Sequence, residues 1–251
     1  MRERILTVLV VLLSILGFIV LATPVGAPDV HGRAQAWRAL QSSVSLVSVT
    51  RDKNGKVTGE SSGCAGVIAA TRMVLTAFHC IRTLEDRVLV RPYADQKRLL
   101  KVMVKWTRVG YDLAVLETAE DIPGKVAELA PDVAVGEAVV AIGSPDGEEF
   151  LMTSGIVSKV VVDKFSNCRA SDPLGREPHQ VIYTDAMIFF GNSGGGLFNI
   201  HGQLLGISER VAVVDVLGVD NCKDGFVYTG EHIMWGYFVG LDTLREVFFQ
   251  R

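Results

Sequence analysis

The chain has 251 residues, 49% of them hydrophobic and 21% charged, which is enough apolar material for a globular domain of about 200 residues and excludes a disordered chain. Its formal net charge is -3, and no run of like charge could track a phosphate backbone, so nucleic acid is not an expected partner. Five scattered histidines and four cysteines without C-x-x-C spacing offer no metal-ligand pattern, and neither a metal nor a cofactor is expected.

At the N-terminus, Arg2-Glu3-Arg4 precede the uncharged stretch Ile5 to Ala22. This run exceeds the apolar region of a cleavable signal peptide, about 7–15 residues, and approaches the roughly 20 that cross a bilayer. Residues 1–22 therefore read as a signal anchor or signal peptide. Val20-Leu21-Ala22 offers small residues for cleavage, whereas Val25-Gly26-Ala27 is followed by Pro28; an uncleaved hydrophobic helix is favoured. Arg2 and Arg4 would stay cytoplasmic and place the rest of the chain across the membrane, tethered in the periplasm or cell envelope, or secreted if cleaved. An oxidising compartment permits two disulfides among Cys64, Cys80, Cys168 and Cys222, in any of three pairings.

Residues 23–43 read as a linker, with Pro24, Gly26 and Pro28 ahead of a helix-compatible stretch from Arg33 to Gln41. The folded domain is expected over 44–251, where short Val-, Ile- and Leu-rich runs alternate with Gly, Asp, Asn and Pro turns. Strands are predicted at Val44–Thr50, Gly63–Ala70, Met73–Ala77, Arg87–Pro92, Arg98–Trp106 and Asp112–Glu117. After a connector marked by Pro123-Gly124 and Pro131 come Glu137–Gly143, Leu151–Val162, Gln180–Thr184, Gly195–Ile200, Gln203–Glu209 and Trp235–Gly240. The last segment, Leu241 to Arg251, puts Leu241, Leu244, Val247 and Phe248 on one helical face. The expected fold is all-β: two six-stranded antiparallel β-barrels, about 44–117 and 137–240, a C-terminal helix, and the hydrophobic helix in front.

Chemistry concentrates in three places. Gly191-Asn192-Ser193-Gly194-Gly195-Gly196 lies between two predicted strands, and its glycines let backbone N–H groups approach a bound carbonyl, with Gly191 and Ser193 the expected donors in a loop that includes Asn192. A serine hydroxyl needs a base, and His79, at the end of the apolar run Met73–Ala77, is the best placed. His31, His179, His201 and His232 lie in linker or loop-like sequence and are expected to be solvated. The base needs an acceptor on its other nitrogen, which Asp112, opening the strand Leu113-Ala114-Val115-Leu116, can supply.

Together T-A-F-H-C, D-L-A-V-L and G-N-S-G-G resemble, in type and order, the strings that carry the triad of chymotrypsin-like serine proteases. The resemblance implies His79 as general base and acid, Asp112 as its orienting partner and Ser193 as nucleophile, in a cleft between two barrels. Ala141-Ile142-Gly143-Ser144-Pro145, Thr153-Ser154-Gly155-Ile156-Val157-Ser158 and Thr184-Asp185-Ala186 are closer to the HtrA-type branch, with similarity from about 44 to 250. It also implies a Cys64–Cys80 disulfide bracing the histidine loop; with that pair taken from the resemblance, Cys168 and Cys222, in two long polar segments, are expected to bond to each other.

Departures are informative. Asn192 stands where the digestive branch has an aspartate that pairs with a new N-terminus, so zymogen cleavage is not expected to build the site. The PDZ domains of HtrA proteins are not expected within this chain. Where the trypsin branch binds Lys or Arg through an aspartate, Met187 stands, followed by Ile188, Phe189 and Phe190, which implies an apolar pocket. Ser208, Glu209 and Arg210 complete the expected substrate wall, with either charge able to enter it. The implied partners are protein or peptide substrates, and the membrane if the first segment is uncleaved; no oligomeric state is implied. A catalytically inactive binding module on this fold and an esterase using the same triad are the alternatives, and retention of all three residues favours an enzyme.

Overall fold

The computed structural model describes residues 30–82, 88–163, 177–215 and 232–249. Two units divide at Ala34/Gln35; of the first, only residues 30–34 are described, as the first turn of α1 (Val30–Gln41). The hydrophobic N-terminal helix and the Cys168–Cys222 pair both lie outside the described residues. Among those described, no helix is long and apolar enough to cross a membrane.

Twelve strands are described in the second unit. β1 (Ser43–Arg51), β2 (Val57–Ala70), β3 (Met73–Ala77), β4 (Val88–Pro92), β5 (Leu100–Arg108) and β6 (Leu113–Thr118) close a barrel in the order β1-β2-β3-β6-β5-β4. β7 (Ala138–Gly143), β8 (Leu151–Asp163), β9 (His179–Thr184), β10 (Gly196–Asn199), β11 (Leu204–Asp215) and β12 (His232–Gly240) close a second in the order β10-β11-β12-β9-β8-β7. All named strand pairs are antiparallel, and closure leaves no sheet edge. α2 (Phe78–Ile81) is a single turn, and α3 (Leu241–Phe249) ends the described chain.

Strand period explains the burial. Val44, Leu46, Ile68, Val74, Val90, Leu100, Ala114 and Leu116 fill the first barrel, and Val139, Ala141, Val157, Ile182, Leu197, Leu205 and Phe238 fill the second. A third cluster joins them: Val67, Leu75, Leu113 and Val115 meet Ile142, Phe198, Ile207 and Val239, with Leu244 and Val247 of α3 against the same seam. That apolar seam places the C-terminal end of β3 and the start of β6 beside the loop before β10.

Several expectations need correction. β2 begins six residues before the predicted Gly63, because Val57–Ser62 pairs with the far half of β1 across two register shifts while its polar side chains stay largely solvated. β11 runs on to Asp215, and a bulge at Glu209 carries it past its predicted end. Asp112 precedes β6 instead of opening it, and His79 is the second residue of α2, two residues beyond β3. His179 is not solvated: it is the first residue of β9 and is buried, with Nδ1 donating to Glu177 O at 2.8 Å and Nε2 3.3 Å from Glu209 Oε2.

Candidate active site

β3 pairs with β6 so that Ala77 faces Leu113, which brings the residues after one strand beside those before the other. The first amides of α2 have no partner within that turn. Asp112 supplies both: its carbonyl accepts Phe78 N–H at 2.8 Å, and its Oδ1 accepts His79 N–H at 2.9 Å. The other oxygen, Oδ2, lies 2.6 Å from His79 Nδ1. Asp112 manages this from a left-handed conformation (φ 51, ψ 38), one that aspartate tolerates better than most side chains. Its carboxylate is fully buried, whereas the His79 side chain keeps 33% of its surface, so the ring is gripped on one edge and open on the other. With Nδ1–H donating to the carboxylate, Nε2 is left as an acceptor.

Ser193 is brought to this edge by backbone contacts across the seam. Its carbonyl accepts Ala65 N–H of β2 at 2.8 Å and lies 3.5 Å from Cys80 Sγ. Gly194 (φ 78) sits against Ala65 O and Thr76 Oγ1 with no room for a Cβ, and its N–H donates to Ser208 O at 2.8 Å. Ser208 returns a 2.8 Å bond to Gly195 O, which ties the serine loop to β11. Among the described residues no hydrogen bond joins Ser193 Oγ to His79 Nε2.

The carbonyl of Phe190 accepts Asp146 N–H at 3.2 Å, and that of Gly191 accepts Ser144 N–H at 3.1 Å. Among the described residues, neither Gly191 N–H nor Ser193 N–H donates to a protein acceptor. Unused backbone donors two residues apart, one of them the serine's own, are groups of the kind that stabilise a developing oxyanion. Asn192 between them is buried against Gly143, where a Cβ would come within 2.5 Å of its Oδ1.

The remaining substrate-wall residues separate. Met187 is exposed and its carbonyl is held by Thr153 Oγ1 at 2.8 Å; Phe189 is partly exposed, and Phe190 keeps 69% of its surface. Ile188 is instead 1% exposed, packed in the second barrel over Gly236. Glu209 turns inward to His179, and the Arg210 guanidinium lies 4.8 Å from the centre of the Tyr237 ring, so only one of the two charges stays near the surface of that wall. Ser208 is buried and serves through its backbone.

The cystine Cys64–Cys80 joins β2 to α2. Its sulfurs and a His79 nitrogen lie within 4.8 Å of one another, but a disulfide offers no thiolate to a metal. Tyr111, next to Asp112 in sequence, stands edge-on to the buried His179 with ring centres 5.7 Å apart. Burial, then the carboxylates of Glu246 and Glu177, raise its phenol above the ordinary range. In the sequence, the HtrA-like string Ala141-Ile142-Gly143-Ser144-Pro145 marks the start of the loop that holds Phe190 O, and the turn-forming Pro145-Asp146-Gly147 marks its bend, whereas nothing marks Tyr111.

The profile described as "Trypsin-like peptidase domain" matches residues 63–207. A probable periplasmic serine endoprotease DegP-like protein of Hahella chejuensis is 35% identical over 164 residues, covering 63% of this chain and 32% of its own length. The mitochondrial serine protease HTRA2 of Bos taurus is 35% identical over 159 residues, covering 62% and 32%. The serine protease Do-like HtrA of Bacillus subtilis is 42% identical over 113 residues, covering 43% and 24%. The chain thus spans about a third or less of the length of these relatives. The solved structure of the HtrA-type protease AlgW with decapeptide superposes with a TM-score of 0.64 at 22% identity, covering 86% of this chain and 66% of that one, a likeness of fold. With the matched profile spanning more than half of its residues, the two closed barrels and the histidine, aspartate and serine strings in their expected order, the chain belongs to the trypsin-like peptidase domain family.

Proposed function

We propose that the protein is a serine endopeptidase that cleaves peptide bonds through an acyl-enzyme formed on Ser193. The observation that carries this reading is the buried Asp112 carboxylate holding both the backbone N–H and the ring Nδ1 of His79, at 2.9 and 2.6 Å, beside a serine loop docked on the same barrel. In this mechanism His79 Nε2 takes the Ser193 hydroxyl proton as Oγ attacks the scissile carbonyl. The imidazolium that forms is stabilised by Asp112 and gives its proton to the leaving amine. The Gly191 and Ser193 amides receive the oxyanion, and water, activated by the same histidine, releases the acyl group.

Exposed Met187, Phe189 and Phe190 support a preference for small or medium apolar side chains, since none of them could neutralise a buried Lys or Arg. The Cys64–Cys80 cystine supports an oxidising compartment outside the cytoplasm, in line with the periplasmic description of the Hahella relative. Peptide or protein substrates fit the decapeptide named with the AlgW structure. Whether residues 1–22 anchor the chain or are removed is read by membrane fractionation with N-terminal sequencing of the mature protein.

The test is active-site labelling. A fluorophosphonate probe should modify wild type and leave Ser193→Ala unmodified, and Ser193→Ala or His79→Ala should lower turnover about a million-fold, because the triad acts as a unit. Wild type that takes no label and cleaves nothing in a peptide library would assign the chain to the binding modules; labelling with ester but no peptide cleavage would make it an esterase.

A further inference from the structure

The segment 144–150 after β7 touches the candidate oxyanion site on one side and the first barrel on the other. On the site side, Asp146 N–H holds Phe190 O at 3.2 Å and Ser144 N–H holds Gly191 O at 3.1 Å. In a trans peptide the C=O and N–H point in opposite directions, so tying the Phe190 carbonyl to Asp146 turns the Gly191 N–H the other way. Gly191 is buried, and a buried amide with no protein partner is costly unless a ligand takes it. The orientation of this one peptide therefore decides whether an oxyanion meets a donor or a carbonyl.

The first barrel grips the opposite side of the segment. Ser62 Oγ of β2 donates to Gly147 O at 3.0 Å. Arg91 of β4 reaches Glu149 at 2.6 Å with Nη1 and Glu60 at 2.5 Å with Nη2, and its side chain is only 17% exposed. The Tyr93 ring stands edge-on to Phe150 with centroids 5.3 Å apart, and Trp37 of α1 stands edge-on to Tyr93 at 5.6 Å. Two non-glycine residues of the segment are held in the left-handed region, Asp146 (φ 50) and Phe150 (φ 62). An aromatic residue rarely stays there unless its surroundings over-determine it. Within the serine loop, Asn192 carries no charge that could anchor the same peptide through an ion pair.

We propose that Arg91 and Tyr93 are positioning residues for the oxyanion-binding amide: the Arg91–Glu149 ion pair and the Tyr93–Phe150 contact hold segment 144–150 so that Asp146 fixes the Phe190–Gly191 peptide with its N–H toward the substrate. The proposal rests on the endopeptidase reading. It makes the first barrel, which supplies the base, also the support for the electrophilic half of the site in the second.

Full-length wild type, Arg91→Met, Arg91→Lys, Glu149→Gln, Tyr93→Ala and Tyr93→Phe are to be compared for kcat and KM on a chromogenic peptide. Affinity for a peptide boronate, which forms a tetrahedral adduct on the serine, and the thermal midpoint are measured alongside. Arg91→Met, Glu149→Gln and Tyr93→Ala should lower kcat by about 30- to 300-fold and weaken the boronate in parallel, with KM within threefold, the range expected when an oxyanion donor is lost in part or whole. Tyr93→Phe keeps the ring and should stay within threefold of wild type, and Arg91→Lys should recover part of the loss through its charge. If Arg91→Met does not fold, Glu149→Gln breaks the same pair from the segment's side with almost no change of shape. Folded variants with lowered midpoints but kcat and boronate affinity within threefold of wild type overturn the inference and leave the endopeptidase reading standing. An unlabelled, inactive wild type overturns both.

Discussion

Asp112→Asn isolates what the carboxylate does for the ring. Oδ1 accepts the His79 backbone N–H at 2.9 Å, and that proton cannot leave at neutral pH. An asparagine must therefore turn its single oxygen toward this N–H, which points its NH2 group at Nδ1, 2.6 Å from where Oδ2 had been. Nδ1 then has to accept, the ring proton moves to Nε2, and Nε2 can no longer take the proton of Ser193. Asparagine is also among the residues that tolerate the left-handed backbone seen at this position, so the fold should survive the change. A wrong tautomer in an otherwise intact triad costs about 10⁴ in kcat, or about 5.4 kcal/mol in the barrier at roughly 1.36 kcal/mol per tenfold. The assay is kcat and KM on a chromogenic peptide with enzyme concentration set by active-site titration, together with a thermal melt. A folded variant within tenfold of wild type would refute the tautomer argument, and with it the role proposed for Asp112.

Two further outcomes follow from the packing around the triad. Gly194→Ala places a methyl group against Ala65 O and Thr76 Oγ1 at a φ of 78, and the left-handed backbone and the overpacking together should cost about 2–5 kcal/mol; because the displaced residue follows the nucleophile, activity should fall at least 100-fold (an order-of-magnitude expectation for a misplaced reacting group), and near-wild-type activity would show that the loop is not held by this contact. Replacing Cys64 and Cys80 by serine together opens a cross-link spanning a sequence separation of 16. In the chain-entropy model that removes about 3 kcal/mol, or roughly 6–12 °C of thermal midpoint for a domain of this size, and an unchanged midpoint would count against a stabilising role for the cystine.

Much of the site was legible because it is written locally. His79 and Asp112 adjoin short, nearly continuous apolar runs, Met73–Ala77 and Leu113-Ala114-Val115-Leu116, and glycines at 191, 194 and 195 mark a backbone that must approach other backbone closely. The two sets of six strands followed from the same local signals, although polar stretches that pair on one face only, such as Val57–Ser62, read as loop. Partners of polar side chains were a different matter. Nothing near His179 announces Glu209, and nothing near Arg91 announces Glu149; closure of the second barrel brings the first pair together, and packing of the two barrels brings together the second.

The sequence by itself determined the strand pattern, the type and order of the three reactive side chains, and the absence of a charge at Asn192, since each depends on a residue and its immediate neighbours. The tertiary structure alone decided that Ile188 is core, that Glu209 faces inward while Arg210 lies on Tyr237, that Asp112 caps the turn carrying His79, and that the first barrel grips the segment holding Phe190 O. The physical reason is register: a side chain's face in a strand follows from its own alternation, but what it meets there is set by which distant strand pairs beside it and at what offset.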